Sequence, residues 1–214
     1  MILDLLFPPK CVLCHKLLTK QETDLCHSCR GNVKLIPKQK RRIPFVAQWT
    51  AMWYYKEDVK SSIHRMKFFG ARHYAEIYGR LLSMRIQEIF PEGFDVLTWV
   101  PISPARRKTR GFDQGQLLAK AVGKELGISP IRTLWKTRDT PPQSGFKDAS
   151  MRRANVLGAY QVFLSKRFAG KRVLILDDVI TSGSTVSECA RMLVTAGAKE
   201  VICAAVAAAT NDKK

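Results

Sequence analysis

Apolar and polar positions alternate along this chain in blocks that predict strands and helices in turn. Residues 49–55 read as a strand, and Asp58 is placed to cap a helix running towards Phe69. A second helical stretch, about 72–90, carries Tyr74, Ile77, Tyr78, Leu81 and Leu82 on one side. Residues 94–101, with Val96, Leu97, Trp99 and Val100, predict a buried strand, and a helix from about 113 to 127 follows. The segment 136–155 is polar and aperiodic, with Pro141-Pro142 and Gly145, and such a stretch inside a domain is usually functional or mobile. A short strand-like run, 158–164, comes next. The strongest apolar block is Val173-Leu174-Ile175-Leu176, a fully buried strand that ends at Asp177 and Asp178. After it a helix has Val186, Cys189, Ala190, Leu193 and Val194 at helical spacing, with Gly197 as its C-cap. A last strand spans 201–208. Strands alternating with helices indicate an α/β domain with a parallel sheet.

The junction after the apolar block carries the chemistry. Asp177 and Asp178 are followed by Thr181-Ser182-Gly183-Ser184-Thr185 and then by a helix. Hydroxyls and backbone N–H groups at a helix N-terminus suit a phosphate. Carboxylates would repel that phosphate, so the acidic pair is expected to face ribose hydroxyls or a hydrated Mg²⁺. A phosphorylated sugar satisfies both halves. An ordinary βα unit with an Asp-rich loop is the plainer alternative. Neither G-x-x-x-x-G-K-[ST] nor G-x-G-x-x-G occurs in the chain.

Composition adds two constraints. The chain has 214 residues, enough for one sizeable domain and a small module, and its formal net charge is +18, from 36 basic and 18 acidic side chains. That excess favours a polyanionic partner, nucleic acid above all. No apolar run approaches a membrane span, and 1–9 do not resemble a signal peptide, so no membrane insertion and a cytoplasmic location with reduced thiols are expected.

Four cysteines are then best read as metal ligands. Cys11-x-x-Cys14 and Cys26-x-x-Cys29, with eleven residues between the pairs, can close tetrahedrally on a structural Zn²⁺. His15 and His27 are expected to be bystanders. The expected division is a zinc module at 1–37, a basic linker at 38–44 containing Lys38, Lys40, Arg41 and Arg42, and the α/β domain at 45–214. A basic linker is usually a solvated face, and contact with phosphate backbones is the sharper alternative. Arg106, Arg107, Lys108 and Arg110 crowd a Gly/Pro-bounded loop after a strand, where α/β sheets bind ligands and where an anion would neutralise them. Aromatics interleave with Lys60, His64, Arg65, Lys67 and Arg72 as in a stacking platform for single strands, or as in an ordinary amphipathic edge. Cys189 and Cys203 read as buried structural thiols.

The segment 173–185 resembles the signature of the type I phosphoribosyltransferases, which bind phosphoribosyl pyrophosphate (PRPP). The resemblance implies that Asp177 and Asp178 hold the ribose hydroxyls, that residues 181–185 cradle the 5-phosphate, and that Arg106, Arg107, Lys108 and Arg110 form the pyrophosphate loop, with Mg²⁺ accompanying PRPP. Over nearly the whole chain, the sequence resembles the ComF/GntX family. The marks are the four cysteines, Lys67-Phe68-Phe69-Gly70, Val100-Pro101-Ile102-Ser103-Pro104, Arg110-Gly111-Phe112-Asp113-Gln114, then Arg138, Thr140, Gln143, Arg152, Asn155 and Gly158, and the Asp pair. Asp113 stands where that family usually has Asn. Arg138, Thr140, Gln143 and Arg152 also resemble the mobile loop of glutamine amidophosphoribosyltransferase, which closes over PRPP; the glutaminase half of that enzyme is absent. The resemblance implies a type I phosphoribosyltransferase fold and a part in DNA uptake, with single-stranded DNA and a helicase as partners. An active transferase with an unknown acceptor and a PRPP sensor are the alternatives. No catalytic residue is assigned, and no acceptor site is visible in the sequence.

Overall fold

A computed structural model describes residues 8–37, 41–141 and 149–209. The helices are α1 (His27–Asn32), α2 (Glu57–Phe68), α3 (Tyr74–Ile89), α4 (Pro104–Arg110), α5 (Gln114–Leu126), α6 (Ala149–Val156) and α7 (Ser184–Thr195). The strands are β1 (Gln48–Tyr54), β2 (Val96–Trp99), β3 (Leu134–Lys136), β4 (Tyr160–Val162), β5 (Arg172–Ile180) and β6 (Glu200–Ala208). Four strands form a parallel sheet in the order β1-β6-β5-β2, and β3 and β4 pair antiparallel apart from it.

Both faces of the main sheet are covered, which is why its central strands read as unbroken apolar runs. Side chains alternate across a strand. In β5, Leu174 and Leu176 therefore join Tyr78 and Leu82 of α3 and Leu118 of α5, while Val173 and Ile175 join Val186, Cys189 and Leu193 of α7. Cys189 and Cys203 are fully buried, as their apolar surroundings suggested.

Three local differences from the sequence pattern matter. β5 does not stop at the carboxylates but carries them as part of the strand to Ile180. Residues 104–110 form a short helix rather than a loop, because Ser103 caps it through a bond from the Arg106 N–H (3.3 Å), Pro104 starts it, and Gly111 ends it at φ +78°. The 158–164 run yields only the three residues of β4, paired outside the main sheet.

The N-terminal module is packed against α2 and α3. Ser62 of α2 donates to the Val12 carbonyl, and Arg65 to the Leu13 carbonyl and, at 3.3 Å, to Val12. Arg80 of α3 pairs with Asp24 at 2.5 Å. Cys11, Val12, Leu13, Leu25, Cys26 and Cys29 belong to the same buried cluster as α2 and α3. Among the described residues, no helix is long and apolar enough to cross a membrane.

Candidate functional site

Adjacent residues of a strand face opposite ways, so β5 sends its two carboxylates to opposite faces of the sheet. Asp178 points to the α2 side, where Lys67, the penultimate residue of α2, brings its Nζ to 2.8 Å from Oδ2. Asp178 is buried, and a carboxylate oxygen has more than one acceptor site, so Oδ2 can accept a further hydrogen bond beside the lysine. Asp177 lies on the α7 side, with Lys136, Tyr160 and Cys189 in its field. Its Oδ1 accepts the Asp178 N–H at 2.8 Å. Burial, and then the neighbouring Asp178 charge, push the Asp177 carboxyl up to about 8. Burial, with help from Arg106, brings the Lys136 ammonium down to about 8. The junction therefore holds groups poised to change charge near neutral pH.

The loop after β5 is shaped for an anion. Gly183 takes φ +82° and caps α7 without a side-chain bond. Ser182 Oγ lies 2.9 Å from Ser184 Oγ and accepts the Ser184 N–H at 3.3 Å. Thr181 to Thr185 are contiguous at this helix N-terminus, so the structure keeps together the five residues that the sequence grouped. Arg41, from the basic linker, donates to the Thr181 carbonyl at 2.8 Å and lies 4.8 Å from the Trp49 ring, while Ile43 packs against Gly183. Part of that linker is thus a wall of the loop and not a solvated face. Lys38 and Lys40 lie outside the described residues.

The four cations of 106–110 are not brought to one point. Four residues apart on α4, Arg106 and Arg110 share a side. Arg106 donates to the Thr140 carbonyl and lies 3.6 Å from Asp139; Arg110 donates to Gln114 at 2.5 Å and sits 4.9 Å from the Phe68 ring, within the field of Asp178. Arg107 and Lys108 face away, with Pro104 and Gly111. Asp113 caps α5: it accepts N–H groups from Gln116 (3.1 Å), Ile102 (3.4 Å) and Trp99 Nε1 (3.3 Å). An Asn has one acceptor oxygen and could keep either the Gln116 cap or the Ile102 and Trp99 bonds, not all three, so the carboxylate suits the donors that converge here.

Of the remaining candidates, Thr140 is buried and accepts from Lys136 Nζ at 2.8 Å. Arg138 is turned away, donating to the Asn155 and Leu157 carbonyls at 3.1 Å each. Arg152 lies half-buried on α6, and Gln143 is outside the described residues. The sequence placed Lys67 in a candidate stacking platform and not beside the acidic pair, and it gave Lys136 no role. Lys67 was part of a noted motif, but its partner is remote in sequence. Lys136 had a local signal, a lysine at an inward position of a strand where Leu134 is its apolar counterpart.

The four cysteine sulfurs all lie within 4.8 Å of one another, and Cys14 Sγ and Cys26 Sγ are 3.6 Å apart. A tetrahedral Zn²⁺ with Zn–S bonds of about 2.3 Å needs sulfurs about 3.8 Å apart. None is disulfide-bonded, and burial with the neighbouring thiols pushes the Cys29 thiol far up, a repulsion that a bound cation relieves. Neither His15 nor His27 belongs to the cluster.

Residues 114–214 match the phosphoribosyl transferase domain family, and residues 2–41 match the double zinc ribbon domain. Competence protein F of Haemophilus influenzae is 27% identical over 218 residues, covering 90% of this chain and 93% of that one. The chain belongs to the ComF family. Its zinc ribbon is a structural Zn²⁺ site and its α/β domain a phosphoribosyltransferase fold. DNA utilization protein YhgH of Escherichia coli K12 is 28% identical over 209 residues, covering 89% and 86% of the two chains. The solved allosteric regulatory enzyme of purine biosynthesis is 26% identical, with a TM-score of 0.43; the match spans 62% of this chain and 26% of that much longer one.

Proposed function

We propose that this ComF-family protein binds PRPP, or a related ribose phosphate, at the carboxyl end of β5 and handles single-stranded DNA during natural transformation. One observation carries the first half. A buried carboxylate with a spare acceptor, Asp178 Oδ2, stands beside a lysine at the end of α2, three residues before a Ser/Thr/Gly loop at the N-terminus of α7. Ribose hydroxyls donate to such an oxygen, and the loop receives the 5-phosphate. Arg106 and Arg110 supply positive charge on the same side for a pyrophosphate group. Carboxylate oxygens suit Mg²⁺, and the ion would neutralise pyrophosphate charge when bound. The names of the relatives, a competence protein and a DNA utilization protein, support the second half, as does the net charge of +18.

Calorimetric titration with PRPP, with and without Mg²⁺, tests the ligand. Asp177→Asn combined with Asp178→Asn abolishes binding and leaves the fold intact; unchanged binding means that the site lies elsewhere. Pyrophosphate release in the same samples, with free bases or single-stranded DNA added, decides between holding PRPP and turning it over. DNA affinity is expected to fall steeply with salt. A salt-insensitive affinity refutes the DNA-handling half.

A further inference from the structure

Helix α4 sorts its cations onto two sides. Arg106 and Arg110 serve the side described above. Pro104, Arg107, Lys108 and Gly111, at i, i+3, i+4 and i+7, line a separate cleft of about 410 Å³. The opposite wall is Arg132, Trp135 and Lys136. That volume falls within the range of about 300–1,000 Å³ typical of ligand pockets.

Trp135 is the informative residue. It is 44% exposed although its neighbours in β3, Leu134 and Lys136, are buried. The Arg132 guanidinium lies 4.9 Å from its ring centroid and 5.8 Å from that of Trp99, which holds the cation at the aromatic edge of the cleft. The carboxylate in the lining, Asp113, is committed to three N–H groups. The cleft therefore offers an aromatic face among the cations of Arg107, Lys108 and Arg132, while the Lys136 ammonium is turned inward to Thr140. A small inorganic anion would leave the indole unused. An apolar ligand would leave the cations unneutralised. A planar anion uses both, and a nucleotide is planar at its base and anionic at its phosphate. Bases paired in a duplex are stacked on one another and do not present a free face, so the strand must be single.

We propose that this cleft binds one nucleotide unit of single-stranded DNA, with the base against Trp135 and the adjoining phosphate on Arg107 and Lys108. The inference rests on the DNA-handling reading and adds the place of contact; it is independent of PRPP binding.

The test uses the full zinc-loaded chain and a fluorescein-labelled oligo-dT of about a dozen nucleotides, a length within the range of single-strand sites. Base–aromatic stacking contributes about 1–3 kcal/mol, so Trp135→Ala weakens binding by about 5- to 150-fold, and Trp135→Phe restores most of the affinity. Arg107→Gln with Lys108→Gln lowers the magnitude of the salt slope by about one to two. Circular dichroism and a thermal melt that match the wild type show that Trp135→Ala is folded. Phe163→Ala is the comparison, because Phe163 is an exposed aromatic outside the cleft, at 52%. Wild-type DNA binding that Trp135→Ala leaves unchanged overturns the inference and spares the DNA-handling reading. A wild type that binds no oligonucleotide at low salt overturns both. Thymidine monophosphate binding while the oligonucleotide does not assigns the cleft to a free nucleotide and overturns the single-strand proposal.

Discussion

Removing the Lys67 ammonium is the most informative single perturbation of the candidate site. At 2.8 Å from Asp178, the gross Coulomb attraction is about 6 kcal/mol at an effective dielectric near 20. Desolvation of the two ions offsets much of that. Breaking a buried pair by removing one partner costs about 3–5 kcal/mol, since the other charge is left behind. The Lys67 side chain retains 19% exposure and that of Asp178 only 7%. Lys67→Met therefore strands the deeper charge, and solvent around the lysine position places the expected loss at about 2–3 kcal/mol. Asp178→Asn costs less, because a freed lysine can swing to water. The double variant should recover about 1–2 kcal/mol relative to additivity, read by urea unfolding at neutral pH. Millimolar Mg²⁺ should restore part of the stability of Lys67→Met, by replacing the missing cation, and none of that of Asp178→Asn. A coupling below about 0.5 kcal/mol would refute the argument. So would a Lys67→Met variant indifferent to Mg²⁺, since Asp178 would then not be a cation site.

Asp177, held at about 8 against an ordinary 3.8, sets a pH dependence in two directions. The fold keeps a proton that the unfolded chain releases, so stability contributed by this group is present below about pH 4 and is lost as pH rises towards 8; Asp177→Asn should flatten that slope in urea titrations. A ligand needing the ionised carboxylate should instead bind more tightly as pH rises to 8 and level off above it, by calorimetry. Gly79→Ala should destabilise by about 1–3 kcal/mol in thermal or urea melts, because its Cβ would stand 2.4 Å from Ala121 Cβ and 2.9 Å from the Ala121 carbonyl carbon on α5. Metal analysis should return about one Zn²⁺ per chain, and Cys29→Ser should lose it and lower the melting temperature.

What could be read in the sequence was what is local. The Asp pair, the Ser/Thr/Gly loop and the following helix are contiguous, and the cysteine pairs announce their geometry by spacing. The alternation of strands and helices was visible because central parallel strands are buried on both faces and their neighbours are amphipathic. The short helix α4 was hidden by composition: Gly, Pro and four cations read as loop, although Ser103-Pro104 and Gly111 are themselves a helix start and stop. The division of those cations between two sides follows from that helix and could not be seen without it. Contacts across the fold were illegible for a different reason. Lys67 meets Asp178 only because the fold brings the end of α2 within side-chain reach of β5, and Arg41 reaches Thr181 across 140 residues of chain.

Those long-range contacts give the zinc ribbon a structural bearing on the candidate site. The ribbon's Val12 and Leu13 carbonyls are held by Ser62 and Arg65 of α2, and Ser62 Oγ also contacts the buried Tyr78 hydroxyl of α3. Lys67 lies two residues beyond Arg65 on the same helix and ends against Asp178. From the other side, the linker leaving the ribbon sets Arg41 on the Thr181 carbonyl and Ile43 against Gly183. A segment of this size cannot bury enough apolar surface to order itself, so its metal is what keeps both attachments in place. The ribbon is thus part of the scaffold that fixes Lys67 and the Ser/Thr/Gly loop, and it needs no contact with DNA to account for its presence.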